Sequence, residues 1–400
     1  MLKTTFSPWP SYTEEEAAAV REVLSSNKSN YLIGGVGRRF EQEYARFCGA
    51  KHAVAVANGT VALDLALRAL GIGPGDEVVV TPRTFFASVA CIVSAGAVPV
   101  FADVDRDSQN ITPDSVAPVL TPRTRAILCV HLAGWPCDMD GMLALARDFG
   151  LAVIEDCAQA HGARFRGQPV GSFGNIGAWS FCQDKIMTTG GEGGMVTTNN
   201  AGLWKTMWSF KDHGKDYEAV HDHEFPPGFR WLHKHFGTNW RLTEMQSAIG
   251  RVQLGRMPEW HSRRLEIANA IWDTAREQHG LRVPEVPAHI EHAAYKCYVF
   301  VRPERLATGW DRDRVMAEIN DLGVPCYSGS CPEVYLEKAF DGSGYRPAKR
   351  LPNARELGET SLMFLCHPTL TDEEVARTCD AITSAMWRAT RRADVLPSVS

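Results

Sequence analysis

Lys185 closes the run Ser180-Phe181-Cys182-Gln183-Asp184-Lys185, and the chain soon reads Thr189-Gly190-Gly191-Glu192-Gly193-Gly194. Upstream, the apolar stretch Leu151-Ala152-Val153-Ile154 ends in Glu155-Asp156-Cys157-Ala158-Gln159. A lysine amine can hold an aldehyde as a Schiff base, and a buried carboxylate can keep a pyridine nitrogen protonated. Together they supply what pyridoxal phosphate chemistry needs. A lysine is ordinarily a solvated surface charge. Here Trp179, Phe181 and Ile186 flank it and a glycine-rich loop follows. Those glycines would suit either a close approach to a ligand or a hairpin turn. Asp156, at a strand's carboxyl end, stands where ligands of open α/β sheets gather, although helix caps favour the same residue type. Gln159, three residues on, could hydrogen-bond the cofactor's phenolic oxygen, although a glutamine is ordinarily surface decoration.

Asn58-Gly59-Thr60 falls between an apolar run and a helical pattern. A glycine admits an anion close to the backbone, and a helix start offers free amides with a favourable dipole. Thr60 adds a hydroxyl. The same tripeptide is also an ordinary helix cap.

The elements that must position these groups alternate. Short apolar runs at 53–57, 77–81, 98–101, 126–130 and 151–154 are separated by helical stretches such as 60–70. Strands this short and apolar predict a mostly parallel sheet covered by helices on both faces. Thr13 with Glu16, and Thr243 with Gln246, read as capping boxes that open helices. From Pro258 the pattern changes to fewer strands among helices. We therefore expect an α/β protein with a large cofactor-binding domain over 1–257 and a smaller α+β domain over 258–400. The end from Asp394 reads as frayed.

The 400 residues are 44% apolar and 22% charged with net charge −5, the balance of an ordinary globular protein. That charge gives no general attraction to nucleic acid or anionic membrane. No stretch resembles a signal peptide or a membrane span. The eleven cysteines form no CxxC pair or metal-ligand spacing, so reduced thiols, a cytoplasmic location and no metal are expected.

Six segments, in order and spacing, resemble the DegT family of sugar aminotransferases, which are fold type I pyridoxal phosphate enzymes. They are Ala57-Asn58-Gly59-Thr60-Val61-Ala62-Leu63, Gly71-Ile72-Gly73-Pro74-Gly75-Asp76-Glu77, Thr84-Phe85-Phe86-Ala87-Ser88, Glu155 through Gly162, Ser180 through Gly194, and Thr238-Asn239-Trp240-Arg241-Leu242-Thr243-Glu244. The resemblance implies that Lys185 is the Schiff-base lysine, Asp156 the pyridinium partner and Gln159 the neighbour of the phenolic oxygen. It implies phosphate contacts from Gly59, Thr60 and Ser180, and ring stacking by Phe85. Asn239 would reach the cofactor phosphate of a neighbouring subunit, making a homodimer with shared sites.

The implied reaction passes an amino group from L-glutamate to a keto-sugar, carried by a nucleotide, for polysaccharide, lipopolysaccharide or glycosylated-metabolite biosynthesis. The alternatives are a keto-cyclitol acceptor and a cofactor-binding regulator without turnover. Pro82-Arg83-Thr84-Phe85 is a residue shorter than the family spacing, leaving Phe86 as a second candidate for the ring. The glycine loop has a glycine more, Trp240 replaces a tyrosine, and 221–236 is long. Arg83, Arg230, Lys234 and Lys296 are candidates to meet a diphosphate, His213 resembles a position near the site, and His161 and His367 read as structural.

Overall fold

The structure, a computed structural model, describes residues 6–221 and 228–391. The frayed end expected from Asp394 and part of the long 221–236 segment lie outside the described residues.

A seven-stranded sheet forms the centre. In chain order its strands are β1 (His52–Val56), β2 (Glu77–Val80), β3 (Val98–Phe101), β4 (Thr124–Val130), β5 (Ala152–Asp156), β6 (Ile176–Ser180) and β7 (Gly194–Thr198). In space they run β1-β7-β6-β5-β4-β2-β3. All pairings from β6 through β3 are parallel, and β7 alone runs antiparallel to its two neighbours. The five strands expected from sequence are present, with ends displaced by one or two residues. Strands β6 and β7 were not foreseen; residues 181–193 connect them, and the glycine loop is the end of that connection. Both are fully buried along their length.

Helices complete the layers. Helix α1 (Glu14–Ser25) opens on the Thr13–Glu16 capping box, α2 is Val36–Phe47, and α3 (Gly59–Ala69) is capped by Asn58 Oδ1, which accepts from Val61 N at 3.0 Å. Helix α4 (Ala87–Ser94) follows β2. Central strand residues Ala126, Ile127 and Leu128 and helix residues Ala62, Leu65 and Leu67 are buried in one continuous apolar core.

Helix α5 (Glu244–Arg276) starts at the predicted Thr243–Gln246 capping box and continues through Pro258. The sequence-based division at 257/258 thus falls inside a single long helix. Its later turns pack Ile267, Ile271 and Trp272 into a second core with Val299, Leu362, Phe364 and Ile382. A four-stranded sheet there includes Cys297–Val301 paired antiparallel with Ser361–Phe364.

The first residue of α5 fastens the N-terminal region to this scaffold. Glu244 is buried, and its carboxylate accepts the backbone N–H groups of Gly35, Val36 and Gly37 at 2.7, 2.6 and 2.9 Å. A carboxylate thus caps the free amides and positive dipole end of α2. The close fit explains Gly34, where a Cβ would meet Glu244 Oε2 at 2.1 Å.

Candidate active site

The carboxyl ends of β1, β2, β5 and β6 lie along one edge of the sheet, as their mutual order requires. Asp156 ends β5 and is 4% exposed. Its Oδ2 accepts from Ser88 Oγ at 2.7 Å and its Oδ1 from Ala158 N at 3.1 Å. Thr84 Oγ1 lies 2.8 Å from Ser88 Oγ, so a relay of hydroxyls anchors the acid to α4. Burial pushes the Asp156 carboxyl above its ordinary range, although these hydrogen bonds and the charges of Lys185 and His131 pull it down. A cationic partner would reverse the outcome.

Gln159 is oriented by the backbone. Its Oε1 accepts from Ala133 N at 2.8 Å, leaving the side-chain NH2 to donate elsewhere. Ala133 holds a left-handed φ of 57°, unusual for a residue with a Cβ.

Gly59, the first residue of α3, and Ser180, the last of β6, come together. A Cβ on Gly59 would stand 2.6 Å from Ser180 Cβ, and one on Gly194 would stand 2.3 Å from Asn58 O. Three chain segments therefore meet at the start of α3 with no room for side chains at the glycines. Thr60 is exposed in that first turn. The Ser180 carbonyl accepts from His161 Nε2 at 2.9 Å, while His161 Nδ1 meets Tyr44 Oη at 2.7 Å. Burial drives the His161 imidazole down to about 3, so the ring is neutral and serves as a strut beneath Ser180.

Lys185 follows β6 and is largely buried. Its Nζ donates to Tyr295 Oη at 3.4 Å and lies 3.8 Å from Asp184 Oδ1; Tyr295 Oη in turn donates to Asp184 Oδ2. Burial raises the Asp184 carboxyl, yet the Lys185 charge and the Tyr295 hydrogen bond outweigh it and hold the acid below its ordinary range. The Lys185 carbonyl accepts from Trp9 Nε1 at 2.8 Å. Trp9 packs edge-on against Trp260 and stacks over His367, and its neighbours Ser7 and Pro8 bond to Glu374 and Thr369. An N-terminal strap therefore joins the lysine segment to the C-terminal region. Sequence reasoning assigned no role to Ser88, Asp184, Tyr295 or Trp9; the partners of Lys185 at 295 and 9 become visible only when the chain folds.

Phe85 is 68% exposed at the mouth of α4, whereas Phe86 packs edge-on against Phe340. Phe85 is thus the freer of the two aromatic candidates. Asn239 is exposed, and its Oδ1 makes one long contact, 3.5 Å, with Arg241 N. His213 is exposed in a left-handed conformation.

The basic candidates separate clearly. Arg83 is fully buried, donating from Nε to Gln109 at 2.9 Å and from Nη2 to Ser361 Oγ at 3.1 Å, so it is a strut and not a surface anion contact. Lys234 pairs with Asp216 at 2.9 Å, and Arg230 lies on an exposed segment. Lys296 instead sits beside the lysine site, over the Tyr295 ring at 4.9 Å.

Among the described residues, one cluster brings His131, Glu155 and Cys157 together in metal-like proximity. Glu155 is already filled, accepting from Gly171, Phe173 and Gly174 backbone amides and facing His131 Nε2 at 3.1 Å. The cluster is an internal fastening of the 171–174 turn. No helix among the described residues is long and apolar enough to cross a membrane.

The profile of the DegT/DnrJ/EryC1/StrS aminotransferase family matches residues 10–383. The chain belongs to that family. It is a pyridoxal phosphate-dependent aminotransferase of the fold type I architecture. Similar proteins include the UDP-N-acetyl-3-dehydro-α-D-glucosamine 3-aminotransferase of Acidithiobacillus ferrooxidans, 35% identical over 95% of each chain. The dTDP-3-amino-3,4,6-trideoxy-α-D-glucose transaminase of Streptomyces venezuelae is also 35% identical, over 92% of this chain and 91% of its own. Among solved structures, an aminotransferase from Psychrobacter cryohalolentis superposes with TM-score 0.95 at 58% identity, covering 96% of this chain and all 100% of that one.

The aminotransferase has the features its cofactor requires. A reachable amine, a buried carboxylate with spare lone pairs, and a glycine-walled turn at a helix start match the aldehyde, the ring nitrogen and the phosphate in turn.

Proposed function

We propose that this aminotransferase moves an amino group from L-glutamate to a keto-sugar carried on a nucleoside diphosphate. The observation that carries the reading is the convergence of Lys185, Asp156 and the Gly59–Ser180 turn along one sheet edge. The nucleotide-sugar activities named for the two 35%-identical relatives support the acceptor class.

In this reading the Lys185 amine bonds the cofactor aldehyde. Asp156, held in place by Ser88 Oγ and Ala158 N, would pair with the ring nitrogen and keep it protonated. Gln159 would donate its free NH2 to the phenolic oxygen, and Gly59, Thr60 and Ser180 would surround the phosphate. Phe85 would cover the ring. When bound, the cofactor supplies the electron sink that makes a carbon-bound proton acidic. Once freed from the cofactor by the donor amine, Lys185 would be the base and acid that moves the proton of the donor's α-carbon. Water would release the donor as its keto acid, and the keto-sugar, giving up its carbonyl oxygen as water, would leave with the amine while Lys185 again carried the proton. Asn239, exposed and loosely held, completes the phosphate site of a second subunit in a homodimer.

The test is the visible spectrum of the purified protein before and after L-glutamate. A yellow band that bleaches supports the reading. A band untouched by L-glutamate sinks the proposed donor, and no band with added cofactor sinks the site assignment.

A further inference from the structure

Lys296 adjoins the site and carries no function in the reaction described above. Its Nζ lies 4.9 Å from the centre of the Tyr295 ring, the same ring that carries Lys185 Nζ at 5.1 Å. The side chain is partly buried, and its ammonium has no hydrogen-bond or carboxylate partner among the described residues. Burial lowers its pKa, assisted by the charges of Arg264 and Lys185 and opposed by Cys366 and Asp184.

A second cation shares this neighbourhood. Arg264 is 1% exposed, and its Nε and Nη2 have no hydrogen-bond partner. Its guanidinium lies 5.0 Å from the Trp9 ring, and its charge acts on Tyr295, Cys366 and Lys296. Three cations, Lys185, Lys296 and Arg264, thus surround one tyrosine, with Asp184 as the facing carboxylate already engaged by the Tyr295 hydroxyl. Unpaired charge held away from water is costly unless an anion arrives to meet it.

We infer that Lys296 is the seat for a carboxylate of the amino donor. This inference rests on the reading that the donor is an amino acid. A donor nitrogen must reach the Lys185 amine, its α-carboxylate carbon is two bonds from that nitrogen, and Lys185 and Lys296 share the Tyr295 ring. A diphosphate is the other anion the enzyme is proposed to meet. It lies several bonds beyond the sugar carbon that reacts, so it falls farther from the Lys185 amine.

The experiment uses the cofactor-loaded protein and two unreactive probes, maleate as a dicarboxylate and UDP as a diphosphate, with binding followed by calorimetry. Lys296→Gln is expected to weaken maleate roughly tenfold, the scale of one charge-assisted hydrogen bond, and to leave UDP unchanged. Lys296→Arg, which keeps the charge, should recover most of the maleate affinity. Retention of the yellow band and of the melting temperature establishes that each variant is folded. A second measurement needs no variant: maleate should protect Lys296 of the unaltered protein from acetylation, read by peptide mass. Maleate binding or protection that ignores Lys296, or a loss confined to UDP, overturns the inference. Bleaching by L-glutamate is scored separately, so failure of the donor reading is distinguishable from failure at Lys296.

Discussion

Lys185 and Asp156 place opposite demands on their surroundings. The lysine must be free to move, and its amine makes only long contacts, 3.4 Å to Tyr295 and 3.8 Å to Asp184, while Trp9 holds its carbonyl. The aspartate must stay fixed, and two short donors grip it. Lys185→Ala is therefore expected to fold with an unchanged melting temperature while sugar amination disappears; appreciable amination would end the assignment. Asp156→Asn keeps the shape but loses the charge, so the L-glutamate half-reaction should slow at least about 100-fold in stopped-flow absorbance. Gly59→Ala tests the cradle more directly. Its new methyl would crowd Ser180, so cofactor affinity by spectroscopic titration should fall about tenfold, near 1.4 kcal/mol.

At the scale of elements, legibility followed local chemistry. The capping boxes at Thr13 and Thr243 were readable because both partners lie within one turn. Strand β6 was missed because Gly177 interrupts its apolar pattern, and that glycine is required by a neighbour distant in sequence: a Cβ there would meet Thr197 Oγ1 at 2.6 Å. The boundary at Pro258 was read from the change of pattern there, at a residue type that normally breaks a helix. Packing of α5 against both cores carries the helix through it. Lys185 and Asp156 stood out in the sequence by their neighbours and by the family resemblance. The partners of each did not, since Ser88 and Tyr295 arrive through tertiary structure. Glu244 belongs to the same class, a motif residue whose task is three amides of another helix. Glu244→Ala should destabilise the fold by about 2–3 kcal/mol in urea unfolding, because buried donors lose their acceptor.

For the whole molecule, the buried imidazoles set a pH limit. Burial holds His161, His292 and His367 down to about 3, against 6.5 when exposed. Between those values the unfolded chain binds protons that the folded chain refuses, so stability is full above pH 6.5 and is lost as pH falls. The urea midpoint is expected to drop steadily from pH 7 to pH 4, and His367→Asn should flatten that slope. A midpoint independent of pH over this range would contradict the assignment of neutral buried rings.

The strap formed by Ser7, Pro8 and Trp9 makes the colour of the protein a record of its own integrity. A protease that trims the first dozen residues leaves every proposed cofactor contact in place, yet it removes the indole that holds the carbonyl of Lys185. Such a clipped preparation should differ in hue from the intact one before any gel reveals the cut, and batches with ragged amino ends would then disagree in absorbance at equal concentration.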